Sequence, residues 1–387
     1  MGRLWLLMFS ALLHGYVAWR LVPALAAWPL AVALLVLLLA ASALLVPAAL
    51  TGRHQRAPRL RMVLGWAGML AMGLFSSLLV FTLLRDLLLL AWAAAASLAA
   101  LWPAGTKAGA FSPIAVPTAW AVLAAAAGAT LLGAWNARRT AAVVRVDVPI
   151  AGLPSALHGF TIAQISDVHV GPTIRSRYVQ AIVDRVNALG ADMVAVTGDL
   201  VDGSVAELAH HVAPLATLRS RHGTFFVTGN HEYYSGAQAW VTELRRLDIC
   251  VLMNEHVVLS HGASALVVAG VTDHGAHQFD ASHRSDARAS LVGAPTHAGR
   301  RLLLAHQPRS AAAALDLGFD LQLSGHTHGG QFWPWNLFVR LQQPFTAGLH
   351  RLQDLWVYTS RGTGYWGPPK RFGAPSEITR LRLVPAA

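Results

Sequence analysis

Through residue 135 the chain is almost continuously apolar, and this constrains its fold more than any other feature. Runs at 4–19, 22–46, 62–84, 87–102 and 115–135 are rich in Leu, Ala, Val and Trp. A bilayer offers the backbone no hydrogen-bond partners, so runs of about 20 such residues cross it as helices. A cleaved signal peptide would account only for the first run, and no small-residue cleavage site followed by a polar stretch is present. Hydrophobic residues make up 55% of the chain and charged ones 13%, too apolar a balance for an ordinary soluble protein. The expectation is an integral membrane protein whose residues 1–140 form an α-helical transmembrane bundle of about five spans.

The formal charge of +11 is unevenly placed. Ten Lys and Arg stand against a single acid, Asp86, through residue 140, leaving 20 basic and 18 acidic residues beyond it. The excess edges the apolar runs, where basic residues set topology and meet anionic headgroups. It argues for a bilayer as partner and against nucleic acid. Arg53, Arg56, Arg59 and Arg61 make 51–61 the strongest cytoplasmic segment, and three further spans after it would leave the rest of the chain extracytoplasmic; 87–102 is short for a span, and four spans in all would reverse that sidedness. His14, Arg20, Arg85 and Asp86 fall near span ends or junctions, which speaks against a charged transport path. The lone cysteine, Cys250, excludes an internal disulfide and a thiolate metal cluster.

Near 136–150 the pattern changes. Val143-Val144-Arg145-Val146-Asp147-Val148 alternates as a strand does, and residues 141–387 then read as a second domain of α/β character. Strands are expected at 160–166, 193–197, 224–228, 301–305 and 321–324, a strand pair at 257–259 and 266–271, and helices at 175–189, 206–219 and 237–247. A polar stretch, 272–299, reads as a loop over the site. Five short clusters each follow the carboxyl end of one of these strands: Asp167-Val168-His169, Gly198-Asp199, Gly229-Asn230-His231-Glu232, His306 and Gly325-His326-Thr327-His328. That edge of an open α/β sheet is where ligands bind, because loops distant in sequence converge there. Two aspartates, one amide oxygen and five imidazoles suit two hard or borderline cations held close together. Donors of nitrogen and oxygen without thiolate fit Mn, Fe or Zn better than Mg or Ca. On an extended segment His326 and His328 would face the same side; a sharp turn, which Gly329-Gly330 would allow, could separate them.

These blocks, in this order, resemble the calcineurin-like metallophosphoesterase family over about residues 158–384. The extension Gly329-Gly330-Gln331 and the tail with Gly367-Pro368-Pro369, Arg371-Phe372-Gly373 and Glu377-Ile378 are similar to its membrane-attached branch. The resemblance implies a four-layer α/β (α+β) sandwich with a dinuclear metal site at the strand carboxyl ends. It implies that Asp167, His169 and His328 hold one divalent ion, that Asn230, His306 and His326 hold the other, and that Asp199 bridges them. His231, adjoining a ligand but without a metal role, is the expected general acid, while Asp202 and Glu232 are candidates for supporting or capping roles. The activity implied is hydrolysis of a phosphodiester or pyrophosphate. Tethering to a bilayer and similarity to UDP-2,3-diacylglucosamine pyrophosphatases point to a lipid or nucleotide-linked glycolipid substrate. Phe332-Trp333-Pro334-Trp335, with Leu337-Phe338, reads either as a membrane-facing lip or as a packed loop. A phosphoprotein or small-molecule phosphatase, and a non-catalytic sensor or transporter that binds phosphate, are the competing readings. The intact acid favours the enzyme. His158, His210, His211, His222, His256, His261 and His350 match no block and read as structural.

Overall fold

Leucine and alanine favour helix and leave the backbone no polar competitor, and the apolar runs fold accordingly. In a computed structural model, which describes residues 3–51, 58–100, 113–295 and 299–386, they form α1 (Arg3–Leu21), α2 (Pro29–Thr51), α3 (Pro58–Ala100) and α4 (Ala115–Arg138). Pro29 and Pro58 open their helices, where proline's missing N–H goes unmissed. Val17, Leu21, Leu39, Phe75, Leu78 and Val122 pack inside the helical unit, whereas Leu12, Leu30, Leu37 and Leu131 lie exposed on it. Among the described residues, four helices are long and apolar enough to cross a membrane.

Four helices replace the five spans expected. The runs at 62–84 and 87–102 join, as far as the described residues reach, into the 43-residue α3, with Arg85 and Asp86 in its interior. No Pro or Gly falls between residues 74 and 100, across the junction of the two runs, and lateral partners satisfy both charges. The Asp86 carboxylate accepts from Arg20 Nε at 2.8 Å and from Tyr16 OH at 2.5 Å. Arg85 is buried and donates to the carbonyls of Arg20 and Ala115 and to Thr118 Oγ1. His14 is buried too, stacked on Phe75 and bonded to Ser42. The expectation that these groups sit at span ends therefore fails for Arg85 and Asp86, which lie mid-helix. The segment carrying Arg53 and Arg56, Lys107 in the next connection, and His297 lie outside the described residues.

The chain divides into two units: Met1–Trp135 with Gly367–Lys370, and Asn136–Trp366 with Arg371–Ala387. The second unit contains two six-stranded sheets. Its elements run β1 (Ala142–Ile150), β2 (Thr161–Ile165), α5 (Ser176–Asn187), β3 (Met193–Val196), α6 (Val205–Val212), β4 (Thr224–Phe226), α7 (Asn230–Ser235), α8 (Ala237–Arg246) and β5 (Cys250–Val251). They continue with β6 (Glu255–His261), β7 (Ser264–Gly270), β8 (Arg300–Leu304), β9 (Leu321–Ser324), β10 (Gly348–Leu352), β11 (Leu355–Thr359) and β12 (Glu377–Pro385). The sheet orders are β1-β12-β2-β3-β4-β5 and β10-β11-β9-β8-β7-β6. Strands β2 to β5 are mutually parallel, as are β7, β8, β9 and β11.

Alternate residues of each central strand go to opposite cores, as a period of two requires. Ile162, Met193, Ala195, Phe225, Leu302, Leu304, Leu321 and Leu323 fill the space between the sheets. Ala163, Ile165, Val194, Val196 and Phe226 face outward onto Ile182, Val183, Trp240 and Leu244 of α5 and α8. On the far side Ala269, Leu303, Ala305 and Val357 meet Ala311, Ala314 and Phe319. This is the four-layer sandwich. The helix expected at 206–219 ends as α-helix at Val212 and continues as a 3₁₀ turn through Thr217, because Pro214 has no N–H to continue the ladder. The segment after β7 contains 3₁₀ turns at Ala276–Gln278, Ala281–His283 and Ala289–Leu291 rather than plain loop.

Candidate metal centre

Each expected cluster begins where a buried strand ends: Asp167 after β2, Asp199 after β3, Asn230 after β4, His306 after β8 and His326 after β9. The chain leaves these strands in an uncommon conformation. Asp167, His169, Asp199, His326 and His328 all have φ between 51° and 69°, the left-handed region that L-residues other than Asn and Asp seldom occupy. Non-glycine residues so placed concentrate at functional sites. The loops also approach one another closely. A Cβ on Gly229 would lie 2.2 Å from Asp199 Oδ1, and one on Gly325 would lie 2.1 Å from Asp167 Oδ2. Glycine at these two positions lets four strand ends approach in pairs, β3 with β4 and β2 with β9.

Three groups of ligand atoms form, each within 4.8 Å: Asp167, His169 and His328; Asp199, His306 and His326; and His169, Asp199 and His231. His326 and His328 thus separate, His326 toward one group and His328 toward the other, because the backbone turns between them instead of extending. The Asp199 carboxylate stands among the groups. Its Oδ1 accepts the backbone N–H of His231 at 2.8 Å, and its Oδ2 lies 3.1 Å from His306 Nε2, 3.9 Å from His169 Nε2 and 4.0 Å from His231 Nε2.

The donor set fits cations. His169 Nε2 and His328 Nε2 are 3.0 Å apart, and His306 Nε2 and His326 Nδ1 are 3.2 Å apart. Neighbouring ligands about 2.0–2.1 Å from one ion are separated by about 3.0–3.4 Å. Asn230 Oδ1 is buried without a hydrogen-bond partner among the described residues, an arrangement that native proteins avoid unless a ligand completes it. Outer contacts orient the rings. His169 Nδ1 lies 3.1 Å from Asp202 Oδ1 and His306 Nδ1 lies 2.7 Å from the Thr197 carbonyl. In both, the outer N–H donates and Nε2 is left free to ligate. Glu232 ties two loops together, accepting from the backbone N–H groups of Asp199, Leu200 and Gly229.

Electrostatics favour the same use. Burial pushes His326 down to about 3, and burial with the Arg371 guanidinium holds His328 well below its ordinary value. Both rings are neutral, as ligands must be. His306 and Asp199 behave as an ion pair: burial disfavours charge on each, but their attraction raises the imidazole and lowers the carboxyl. His306 would have to give up that proton to ligate a cation. His231 differs from the others. Burial works against its charge, yet Asp199 and a 2.5 Å bond from Nδ1 to Asp202 raise it to about 9. Burial alone would raise Asp202, but His169 and His231 keep its carboxyl well below the usual range.

All eight site residues expected from the sequence lie at this edge of the sandwich. Sequence reasoning missed Arg371. Fully buried, it donates to the carbonyls of His328, Arg361 and Gly364 and, at 3.0 Å, to His328 Nδ1. It sits in the tail motif but 43 residues from His328, and no local spacing links the two. Asp202, only a candidate for support, turns out to orient two imidazoles at once. Of the histidines outside the blocks, His158, His256 and His350 bond to backbone carbonyls, and His222 pairs with His261.

A calcineurin-like phosphoesterase family model matches residues 160–330. An uncharacterized metallophosphoesterase of Aquifex aeolicus is 32% identical over 259 residues, covering 66% of this chain and 97% of its own length. The chain belongs to the calcineurin-like metallophosphoesterase family. It is also similar to the Bos taurus transmembrane protein with metallophosphoesterase domain, 41% identical over 66% of this chain and 60% of that protein. An uncharacterized Helicobacter pylori metallophosphoesterase is 39% identical over 58% of this chain and 60% of its own. The chain spans about 60% of the length of these last two relatives.

Proposed function

We propose that this family member is a membrane-anchored phosphoesterase with two divalent cations, hydrolysing a phosphodiester or pyrophosphate bond. The observation that carries the reading is Asp199 Oδ2, which is shared among imidazoles of both ligand groups. Asp167, His169 and His328 would hold one ion, Asn230, His306 and His326 the other, and Asp199 both. When bound, the pair would supply an activated water at neutral pH and offset charge on the phosphoryl oxygens. Donors limited to nitrogen and oxygen favour Mn, Fe or Zn.

His231 then has a task of its own. With Nδ1–H donating to Asp202, the ring is held in one orientation and its Nε2–H is available to the departing oxygen. A module that only bound phosphate would not need this acid. The purified protein should hydrolyse bis-p-nitrophenyl phosphate in Mn²⁺ or Zn²⁺ faster than p-nitrophenyl phosphate. Absence of turnover with both ions bound would overturn the assignment.

The substrate we favour is a lipid or nucleotide-linked glycolipid phosphate, supported by the four apolar helices and by an apolar surface after the metal motif. Leu337 and Leu341 there are 65% and 81% exposed, positions suited to interfacial lipid. We infer the opposite sidedness from that expected for five spans. With 51–61 cytoplasmic, α3 would lead out and α4 would lead back, so Arg138-Arg139 and the catalytic unit would be cytoplasmic, a reading supported by the four apolar helices among the described residues and by the distribution of basic residues. Asp354→Cys in a Cys250→Ser background should react with an impermeant maleimide only after permeabilisation; labelling of intact cells would reverse the orientation.

A further inference from the structure

A row of aromatic rings passes over the proposed acid. Phe279 and Tyr234 have centroids 5.5 Å apart, Tyr234 and His231 5.1 Å, and His231 and Trp366 5.9 Å. The row is anchored from below: Tyr233, which is buried, contacts Phe279 at 5.8 Å and bonds through its hydroxyl to His283 Nδ1. His231 is only 7% exposed, but Tyr234, Phe279 and Trp366 are 51%, 55% and 45% exposed. Rings that served only to pack would be covered, and these three are not.

Trp366 is also held in place from the metal motif. Gln331, which closes Gly325–Gln331, accepts from the Trp366 N–H at 2.8 Å and donates to its carbonyl at 2.7 Å. The turn that separates His326 from His328 therefore also fixes the backbone of a half-exposed tryptophan beside His231. Whatever the leaving oxygen carries must pass these rings, because the proton donor lies between two of them.

We propose that Tyr234, Phe279 and Trp366 form a subsite for a planar ring on the leaving-group side of the phosphate. Rings with exposed faces and edges recognise another ring by offset or edge-on stacking and tolerate its substituents. A nucleobase and a simple aryl group share this chemistry. The inference rests on the phosphoesterase reading, and in particular on His231 marking the leaving-group side.

Methyl phosphodiesters of benzyl alcohol, of the uridine 5′-hydroxyl and of n-octanol test it, since all three depart as primary alkoxides and differ only in the group borne by the alkoxide carbon. The two ring esters should show KM values roughly 10-fold below the octyl ester, the scale of one or two stacked pairs. Tyr234→Ala, Phe279→Ala and Trp366→Ala should each raise KM for the ring esters about 3–10-fold and leave KM for the octyl ester and all kcat values unchanged. Trp366→Leu, which keeps an apolar side chain, should behave like the alanine variant. A lower KM for uridine than for benzyl identifies a nucleobase, and the reverse a simple aryl group. Unchanged ratios in all variants overturn the subsite, and a loss confined to the octyl ester overturns it in favour of an acyl groove. If none of the esters turns over in wild type, the phosphoesterase reading fails by itself. Equilibrium binding of the benzyl and octyl esters to the same variants then decides the subsite: a ring preference lost in the variants supports it, and equal affinities overturn it.

Discussion

The two units of this protein both bury charged groups, and they treat them in opposite ways. In the helical unit every charge of the interior cluster has a protein partner. Asp86 accepts from Arg20 and Tyr16, and Arg85 is surrounded by two carbonyls and the Thr118 hydroxyl. At the strand ends of the second unit, imidazole nitrogens face each other at 3.0 and 3.2 Å and the Asn230 oxygen has no partner among the described residues. A polar cluster that satisfies itself holds helices together; one left incomplete at this density is arranged around something else. The helical charges are scaffold, and the strand-end cluster is suited to hold cations.

The contrast can be broken most decisively at Asp199. Asp199→Ala should lose both ions and all measurable turnover, and two tightly held ions by elemental analysis of the variant would end its bridging role. Next in size, His231→Ala should retain both ions but lose about 10²–10⁴-fold in turnover of an alkyl phosphodiester, with much less loss for a p-nitrophenyl leaving group. Its pH profile sharpens the assignment. The ring is protonated below its raised value of about 9, and bound cations lower that value, so wild-type kcat/KM should fall with rising pH through a limb at or below 9. The variant should lack that limb, and a persistent limb would assign the acid elsewhere.

Arg371→Met tests whether the outer contacts belong to the site. Removing the donor to His328 Nδ1 should weaken one of the two ions by about 10–100-fold while the ion at His306 and His326 stays bound. Equal loss of both, with the melting temperature lowered, would make Arg371 structural only. The smallest effect is expected in the helices. Asp86→Asn should lower the stability of the helical unit in detergent by about 1–2 kcal/mol without changing turnover of bis-p-nitrophenyl phosphate. A tenfold change in that rate would contradict the division into scaffold and site.

Much of this molecule was legible in one dimension because its signals are local. Apolar run length announces membrane helices, and a short apolar strand closed by Asp, Asn or His announces a ligand edge; β2, β3, β4, β8 and β9 lie within a residue or two of expectation. Short or composite elements were not legible: α7, which begins at Asn230 itself, β5 with two residues, and β12, whose partners β1 and β2 are over 200 residues away. The number of helices was misread because Arg85-Asp86 looks like a junction until Arg20, Tyr16 and Thr118 are brought beside it.

By itself the sequence determined which residues could bind metal, on which kind of edge they would stand, and that the first third of the chain carries helices apolar enough to cross a bilayer, since residue chemistry and periodicity carry that information. Only the tertiary structure decided that His326 and His328 part company, that Asp202 serves two imidazoles, that Arg371 reaches His328, and that Gln331 pins Trp366 beside His231. Each of these depends on left-handed turns and on contacts between segments far apart in the chain, and neither is encoded in local spacing.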